Sequence, residues 1–177
     1  DIWELDNVDR GAKDINFDAL DKAAKKIARF EEEAIYKGLK DGSITGLSDA
    51  AENSRKLDTS SASTILNSVS QAVTNLTENA VEGPYTLVAS PELWTALDAK
   101  SEGYPLRDRI QRILGGNIIY NSGNFGNFVV SEEGGDFELT IGQDLSIGYM
   151  SHTSTSVKLF LTESFTFRVI TPEAAVV

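Results

Sequence analysis

Cysteine is absent from the 177 residues, which excludes disulfide bonds, thiolate catalysis and cysteine-ligated metal centres. Histidine and methionine each occur only once. No apolar run approaches the roughly 18 residues of a membrane-spanning helix, so no membrane partner is expected. No basic stretch precedes an apolar core, and no secretory signal is predicted. Because the chain begins at Asp1 rather than Met, we expect an N-terminus that has been shortened.

Positive charge is also scarce. Sixteen Lys and Arg stand against 27 Asp and Glu, which gives a net charge of −11 and a pI near 4.5. Such a balance repels phosphate backbones, and no basic stripe offsets it, so nucleic acid is not an expected partner. The 41% hydrophobic and 24% charged residues are ordinary for a globular protein, expected here in the cytoplasm.

The spacing of apolar residues predicts helices early in the chain and strands late, an α+β pattern. DIWELDN (1–7) alternates apolar and polar residues and is predicted to be extended. A long spine helix of about 24 residues follows, with Asn16 as N-cap and Gly42 as C-cap. Its predicted core face consists of Leu20, Ala24, Ile27, Phe30 and Ala34.

Three shorter helices are predicted at 63–79, after Ser90-Pro91 and after Tyr104-Pro105. The predicted strands lie at 85–90, 117–120, 128–131, 137–141, 157–164 and 165–171. GGDFELTIGQDLSIGY (134–149) alternates but contains Gly142 and Gly148, which predict a strand–turn–strand element. Gln143 and Asp144 are expected to bond backbone groups in its turns.

None of the polar clusters in the sequence predicts a catalytic or metal site. Glu31, Glu32 and Glu33 point about 100° apart on a helix, which favours a solvated face over a metal site. His152 lies in a polar run without partners at ligand or triad spacing, so a surface position is predicted. Trp3 and Trp94 could each stack on a flat ligand, although packing in a core or interface is favoured. We therefore expect no catalytic residue, metal or cofactor, and a binding or structural protein rather than an enzyme.

Three segments, in this order, closely resemble the encapsulins, the shell proteins of bacterial and archaeal nanocompartments. They are DIWELDN with the helix ending EEEAIYKG (31–38), then EGPYTLV (82–88), then SEEGGDFELTIGQDLSIGY (131–149) with LFLTESFTFRVITPEA (159–174). The family is also labelled linocin- or maritimacin-like bacteriocin. The resemblance covers essentially the whole chain, and its last segment is the most specific.

The resemblance implies the fold of tailed-phage major capsid proteins. A peripheral domain built on the spine helix would comprise 1–46 and 150–177, and an inserted axial domain would comprise 47–149. Encapsulins also carry a segment before DIWELDN, with an N-terminal helix, an arm and an extended loop that interlock subunits. That segment is absent from this sequence, so the chain on its own is expected to be a folded monomer or small oligomer.

The resemblance further implies a subunit of an icosahedral cage that encloses cargo, such as a peroxidase or a ferritin-like iron-storage protein. The cargo would dock through a C-terminal targeting peptide, and the redox chemistry would belong to the cargo. In this reading the polar loop at 121–127 lines the fivefold pore, with the residues Asn121, Ser122, Gly123, Asn124, Phe125, Gly126 and Asn127. The alternatives are a phage or prophage capsid protein fragment and, less favoured, a peptidase or bacteriocin.

Overall fold

The computed structural model describes residues 1–100 and 104–177 and confirms the predicted α+β class. The helices are α1 Ile2–Asp9, α2 Asp18–Lys37, α3 Leu47–Ala50, α4 Ala62–Glu78, α5 Pro91–Ala99 and α6 Leu106–Leu114. The strands are β1 Gly38–Leu39, β2 Ile44–Thr45, β3 Tyr85–Ala89, β4 Gly115–Tyr120, β5 Phe128–Ser131, β6 Phe137–His152, β7 Val157–Val169 and β8 Ala175–Val176.

The first segment is helical, so the prediction of an extended start at residues 1–7 is wrong. The Asp1 carboxylate caps α1 by accepting a hydrogen bond from the Trp3 amide at 3.1 Å. Glu4 lies in the first turn, where a negative charge favours the helix. The alternation over seven residues was too short to distinguish a strand from one face of a helix.

The spine helix α2 forms as predicted but is four residues shorter at its C-terminal end. It has 20 residues, and the Asn16 side chain accepts a hydrogen bond from the Asp18 amide at 2.9 Å. Gly38, with φ +86°, follows the last helical residue and takes the left-handed role predicted for Gly42. A Cβ on Gly38 would lie 2.7 Å from backbone atoms of Ile44 and Gly46, so no side chain fits there.

The predicted core face of α2 is correct at Ala34 and wrong at Phe30. Ala34 is buried, and Leu20, Ala24 and Ile27 are half-buried. Phe30 is 49% exposed. Residues spaced by three and four do not stay on exactly one line along a straight helix of 20 residues. The buried face therefore contains Ala24, Ile27 and Ala34, and Phe30 lies at its edge.

Local caps fix α4, α5 and α6, the three shorter helices that were predicted, whereas α3 was not predicted. Ser61 and Thr64 form a capping box at the start of α4. Ser90 accepts from the Leu93 amide at α5, with Pro91 at the first helical position. Gly115, φ +68°, ends α6. These helices bury one face each in a common core that includes Ile65, Leu76, Leu87, Leu93, Ile110 and Leu114.

The sheet under these helices has the order β4-β3-β5-β8. β3 runs parallel to β4 and antiparallel to β5, and β5 runs antiparallel to β8. All five residues of β3 are buried, as expected for a central strand covered on both faces. β4 forms one edge of the sheet and ends at Tyr120. The loop at 121–127 leaves this end of β4 and returns the chain to β5.

The segment 137–169 forms a two-stranded ribbon of β6 and β7, without the turns predicted at Gly142 and Gly148. A Cβ on Gly148 would lie 2.2 Å from the Phe160 ring, and one on Gly142 would lie 2.9 Å from Ser164 Oγ. The two glycines therefore leave space for side chains of β7 within a continuous strand. Likewise the strands predicted at 157–164 and 165–171 are one strand, β7.

The described chain divides into two compact units. One comprises residues 1–32 and 139–166, and the other residues 33–138 and 167–177. The assignment of 1–46 and 150–177 to a peripheral domain and 47–149 to an axial domain stays a prediction. That predicted axial range includes residues 101–103, which lie outside the described residues.

Candidate functional site

The loop at 121–127, predicted to line a pore, is organised around a buried asparagine. Asn121 is 3% exposed, and its amide donates to the Ala89 carbonyl at 2.8 Å. Its side chain donates to the Gly126 carbonyl at 3.3 Å and accepts from the Gly123 amide at 3.1 Å. One side chain therefore spans both arms of the loop and holds its shape.

Phe125 anchors the same loop. It is 6% exposed, and its ring stacks on Tyr36 with centroids 5.7 Å apart. The Lys37 ammonium lies 5.2 Å from the ring centroid, within range of a cation–π attraction. Gly123 lies beneath this ring, because a Cβ there would be 1.9 Å from a ring carbon. The loop is therefore packed against the rest of the chain at Asn121 and Phe125, which the polar composition of the segment did not predict.

Two side chains of the loop are exposed, those of Ser122 and Asn124. Asn124 has φ +54°, a left-handed conformation that asparagine tolerates better than most residues. Asn127 is half-buried, and its Oδ1 accepts from the Ser90 amide at 2.8 Å. The pore assignment stays a prediction. Of the seven predicted residues, Ser122 and Asn124 are the ones whose side chains are free to face a pore.

The three glutamates of α2 are not all solvated. Glu31 is half-buried, and partial burial together with the charge of Glu163 and a hydrogen bond to it raises the pKa of Glu31. Glu32 and Asp144 add further negative charge nearby. Over residues 1–100 and 104–177, no group of three acidic or histidine side chains is placed to hold a metal ion. The prediction of a purely solvated face is wrong for Glu31.

The lone histidine is on the surface, as predicted. His152 is exposed at the end of β6, and its Nδ1 is hydrogen-bonded to the Tyr149 hydroxyl. Nearby, Asp144 Oδ1 accepts from the Leu145 amide at 2.7 Å, and Gln143 Nε2 donates to Ser146 Oγ at 2.8 Å. These bonds lie within a strand rather than in turns, and each serves the local backbone or a neighbouring side chain.

The two tryptophans differ. Trp94 packs against the core and lies under the Arg107 guanidinium, 4.0 Å from the ring centroid, so the packing prediction holds for Trp94. Trp3 is 62% exposed on α1, so it is not a core residue of this chain. A ligand-stacking role for Trp3 stays a prediction.

Sequence reasoning missed an exposed apolar row on β6. Alternation along the strand places Leu139, Ile141, Leu145, Ile147 and Tyr149 on one face, opposite Gly142 and Gly148. These five side chains are 39–58% exposed. A contiguous row of this kind marks an interaction surface more often than a chance exposure. The even spacing of the apolar residues was visible in the sequence, but which face would be left open was not.

An apolar groove of about 360 Å³ lies between α1, the start of α2 and β7. Its walls include Leu5 and Val8 from α1, Phe17 before α2, and Leu159 and Phe160 from β7. All five of these side chains are 39–50% exposed. The groove has the size and apolar lining of a site for a short peptide or small ligand. Sequence reasoning missed it because α1 was predicted to be extended.

No helix within the described ranges is both long and apolar enough to cross a membrane.

The fold of this chain has a counterpart among solved structures. It matches the crystal structure of a virus-like particle from Pyrococcus furiosus with a TM-score of 0.75, over 97% of this chain and 71% of that one. At 21% identity this likeness shows the fold alone, the capsid-protein fold predicted from the sequence.

The family follows from the sequence comparison. The family model described as "Encapsulating protein for peroxidase", Linocin_M18, matches residues 1–166, and the chain belongs to this family. The type 1 encapsulin shell protein of Rhodococcus erythropolis is 42% identical over 173 residues. Those of Mycolicibacterium paratuberculosis and Mycobacterium tuberculosis are 39% identical over 175 residues and 37% over 174.

These alignments cover 97% of this chain for the first relative and 98% for the other two. They cover 66% of each relative, so the chain spans a little under two thirds of the length of the shell proteins it matches. The predicted resemblance to the encapsulins is confirmed.

Proposed function

We propose that the chain is a shell subunit of an encapsulin nanocompartment, in which copies assemble into a closed icosahedral cage around a cargo protein. The observation that carries the proposal is the 37–42% identity to three type 1 encapsulin shell proteins along nearly the whole chain. Identity at this level favours a shell protein over the alternative of a phage capsid protein, which would share the fold without it.

The surfaces of the chain support an assembling role rather than a catalytic one. The apolar row of β6 leaves five large apolar side chains 39–58% exposed along one strand, the kind of surface that marks a protein–protein contact. We propose that the chain is not an enzyme. Redox chemistry, as in a peroxidase or a ferritin-like iron-storage protein, would then belong to the enclosed cargo, in a cytoplasmic compartment.

The groove of unit 1–32 and 139–166 is the proposed dock for the C-terminal targeting peptide of the cargo. Its apolar walls, including Leu5, Val8 and Phe17, suit two or three apolar side chains of an extended peptide. Asp1, Glu4 and Lys158 at the same groove offer charges of both signs for orienting the peptide. Leu159→Glu should weaken peptide binding about tenfold or more, because it buries an unpaired charge.

The test of assembly uses two proteins. The chain is produced alone, and also fused to the part of the Rhodococcus erythropolis shell protein that the alignment leaves uncovered. Light scattering and electron microscopy should show closed, hollow particles for the fusion and a monomer or small oligomer for the chain alone. Circular dichroism and a thermal melt establish that both are folded.

A folded fusion that stays a small oligomer under all solution conditions tried would refute the proposal of a shell subunit. For the cargo dock, fluorescence anisotropy of a labelled C-terminal peptide from a peroxidase cargo is measured with the fusion. The matched control is Ala28→Glu, which adds the same charge at an exposed position of α2 that does not line the groove. Equal loss of peptide affinity in both variants would show that the groove is not the dock.

A further inference from the structure

A cluster of side chains on unit 33–138 and 167–177 has the composition of an interface hot spot. Trp94 on α5 lies between the Arg107 guanidinium, 4.0 Å from its ring centroid, and the Tyr120 ring, 5.3 Å away and inclined by 63°. Two hydrogen bonds to Asp98 Oδ1, at 2.8 and 3.1 Å, hold the guanidinium in place. Tryptophan, tyrosine and arginine are the residues most enriched where binding energy concentrates.

The cluster is exposed and already ordered. Tyr120 is 48% exposed. It lies on β4, which pairs only with β3 among the described strands and so leaves one backbone edge open. Because Arg107 and Trp94 are already held by their neighbours, a partner would lose little side-chain entropy in binding them.

Charge around the cluster indicates what kind of partner fits. α6, which carries Arg107, has three arginines and one aspartate, and it is the one helix of the described residues with more basic than acidic side chains. The whole chain has a net charge of −11. A second copy therefore carries, on balance, the charge that complements α6.

We infer that this aromatic–arginine cluster (Trp94, Arg107 and Tyr120) is a contact between copies of the chain, with an acidic surface of a second copy as its occupant. The inference rests on the proposed shell function and names a surface through which copies meet. The contact is heterologous, because an isologous one would place α6 arginines against each other. Heterologous contacts are the kind that close into rings around a rotation axis.

The test uses Trp94 as a site-specific reporter. The chain has two tryptophans, so Trp3→Phe leaves Trp94 as the only one. Sedimentation velocity gives the mass of this variant over a wide range of protein concentration, and the emission maximum of Trp94 is followed in the same samples. We expect the mass to rise with concentration and the emission to shift to the blue, because the contact removes Trp94 from water.

Tyr120→Ser should raise the dissociation constant of self-association by about tenfold or more. The matched control is Arg112→Ala. Arg112 forms a comparable pair, 5.1 Å from the Tyr104 ring centroid, but it lies about 140° around α6 from Arg107. The control should self-associate within about twofold of the parent, the spread expected of a surface substitution. Thermal melts establish that each variant is folded.

The outcomes separate this inference from the function on which it rests. A mass that rises while Trp94 emission stays constant would place the contact elsewhere, for instance on the apolar row of β6, and would overturn the inference while leaving the shell function intact. Absence of any self-association would overturn the inference and leave the shell function to the assembly test of the fusion, for which a monomeric chain alone is an expected result. A shift of Trp94 emission on adding a DNA oligonucleotide at low salt, without a change in the mass of the chain alone, would make the cluster a polyanion site and overturn the inference.

Discussion

Gly123→Ala tests whether the loop at 121–127 is a packed element. An alanine Cβ would lie 1.9 Å from the Phe125 ring, so the ring must leave its position on Tyr36. Removing a buried phenylalanine ring from its site costs about 1.5–3 kcal/mol, and overpacking costs about 1–3 kcal/mol. We therefore expect Gly123→Ala to lower the free energy of unfolding by about 2 kcal/mol.

A double-mutant cycle identifies the cause. Phe125→Ala alone should cost about 3 kcal/mol or more. In the Phe125→Ala background the clash is gone, and Gly123→Ala should be neutral or stabilise by about 0.5 kcal/mol, because alanine restricts the unfolded chain. Urea unfolding is followed by Trp94 fluorescence in the Trp3→Phe background, and Ser122→Ala at an exposed position is the control. A cost below about 0.5 kcal/mol for Gly123→Ala, or the same cost in both backgrounds, would refute the packing argument.

Three further predictions concern charge. Glu163→Gln should raise the free energy of unfolding at neutral pH by about 0.5 kcal/mol and flatten its pH dependence. The raised pKa of Glu31 means that stability is lost as pH rises through that pKa. Urea melts across pH would show no flattening if Glu31 and Glu163 titrated independently. Glu132→Gln should instead reduce the loss of stability in acid. Hydrogen bonds from Thr86 and Asn117 lower the pKa of Glu132, so the free energy of unfolding of the parent falls as pH drops through that pKa. The same loss in the variant between neutral and acid pH would contradict this. In assembled, cargo-loaded shells, Asn124→Asp should speed uptake of ferrous iron and Asn124→Lys should slow it, whereas equal rates with intact shells would show that the loop is not the route in.

The helix ends that the sequence predicted correctly are those specified by residues next to them. The Ser90-Pro91 start and the Gly115 stop each specify a helix end without reference to the rest of the chain. The capping box of Ser61 and Thr64 is equally local, but the predicted start at residue 63 did not use it. α1 was missed because its apolar residues fit both a strand and a short helix. The resemblance to a known family supplied the class of fold, which periodicity alone placed only as α+β.

The candidate site was less accessible to sequence reasoning because it depends on distant partners. Gly142 and Gly148 look like turn residues until Phe160 and Ser164 of β7 are seen against them. Phe125 sits in a polar loop and is buried only because Tyr36, far away in sequence, provides a ring to stack on. The raised pKa of Glu31 likewise depends on partial burial and on Glu163, which no local pattern associates with α2.

The ribbon of β6 and β7 has a consequence for the order in which the protein becomes rigid. Its longer strand has 16 residues, about 53 Å of extended chain, and two strands alone are marginally stable in water. Backbone amides along its outer edges should therefore exchange with deuterium quickly in a dissociated chain and slowly once neighbouring protein covers them. The ribbon would then become rigid last, when copies of the chain associate. The melting temperature should therefore rise with protein concentration.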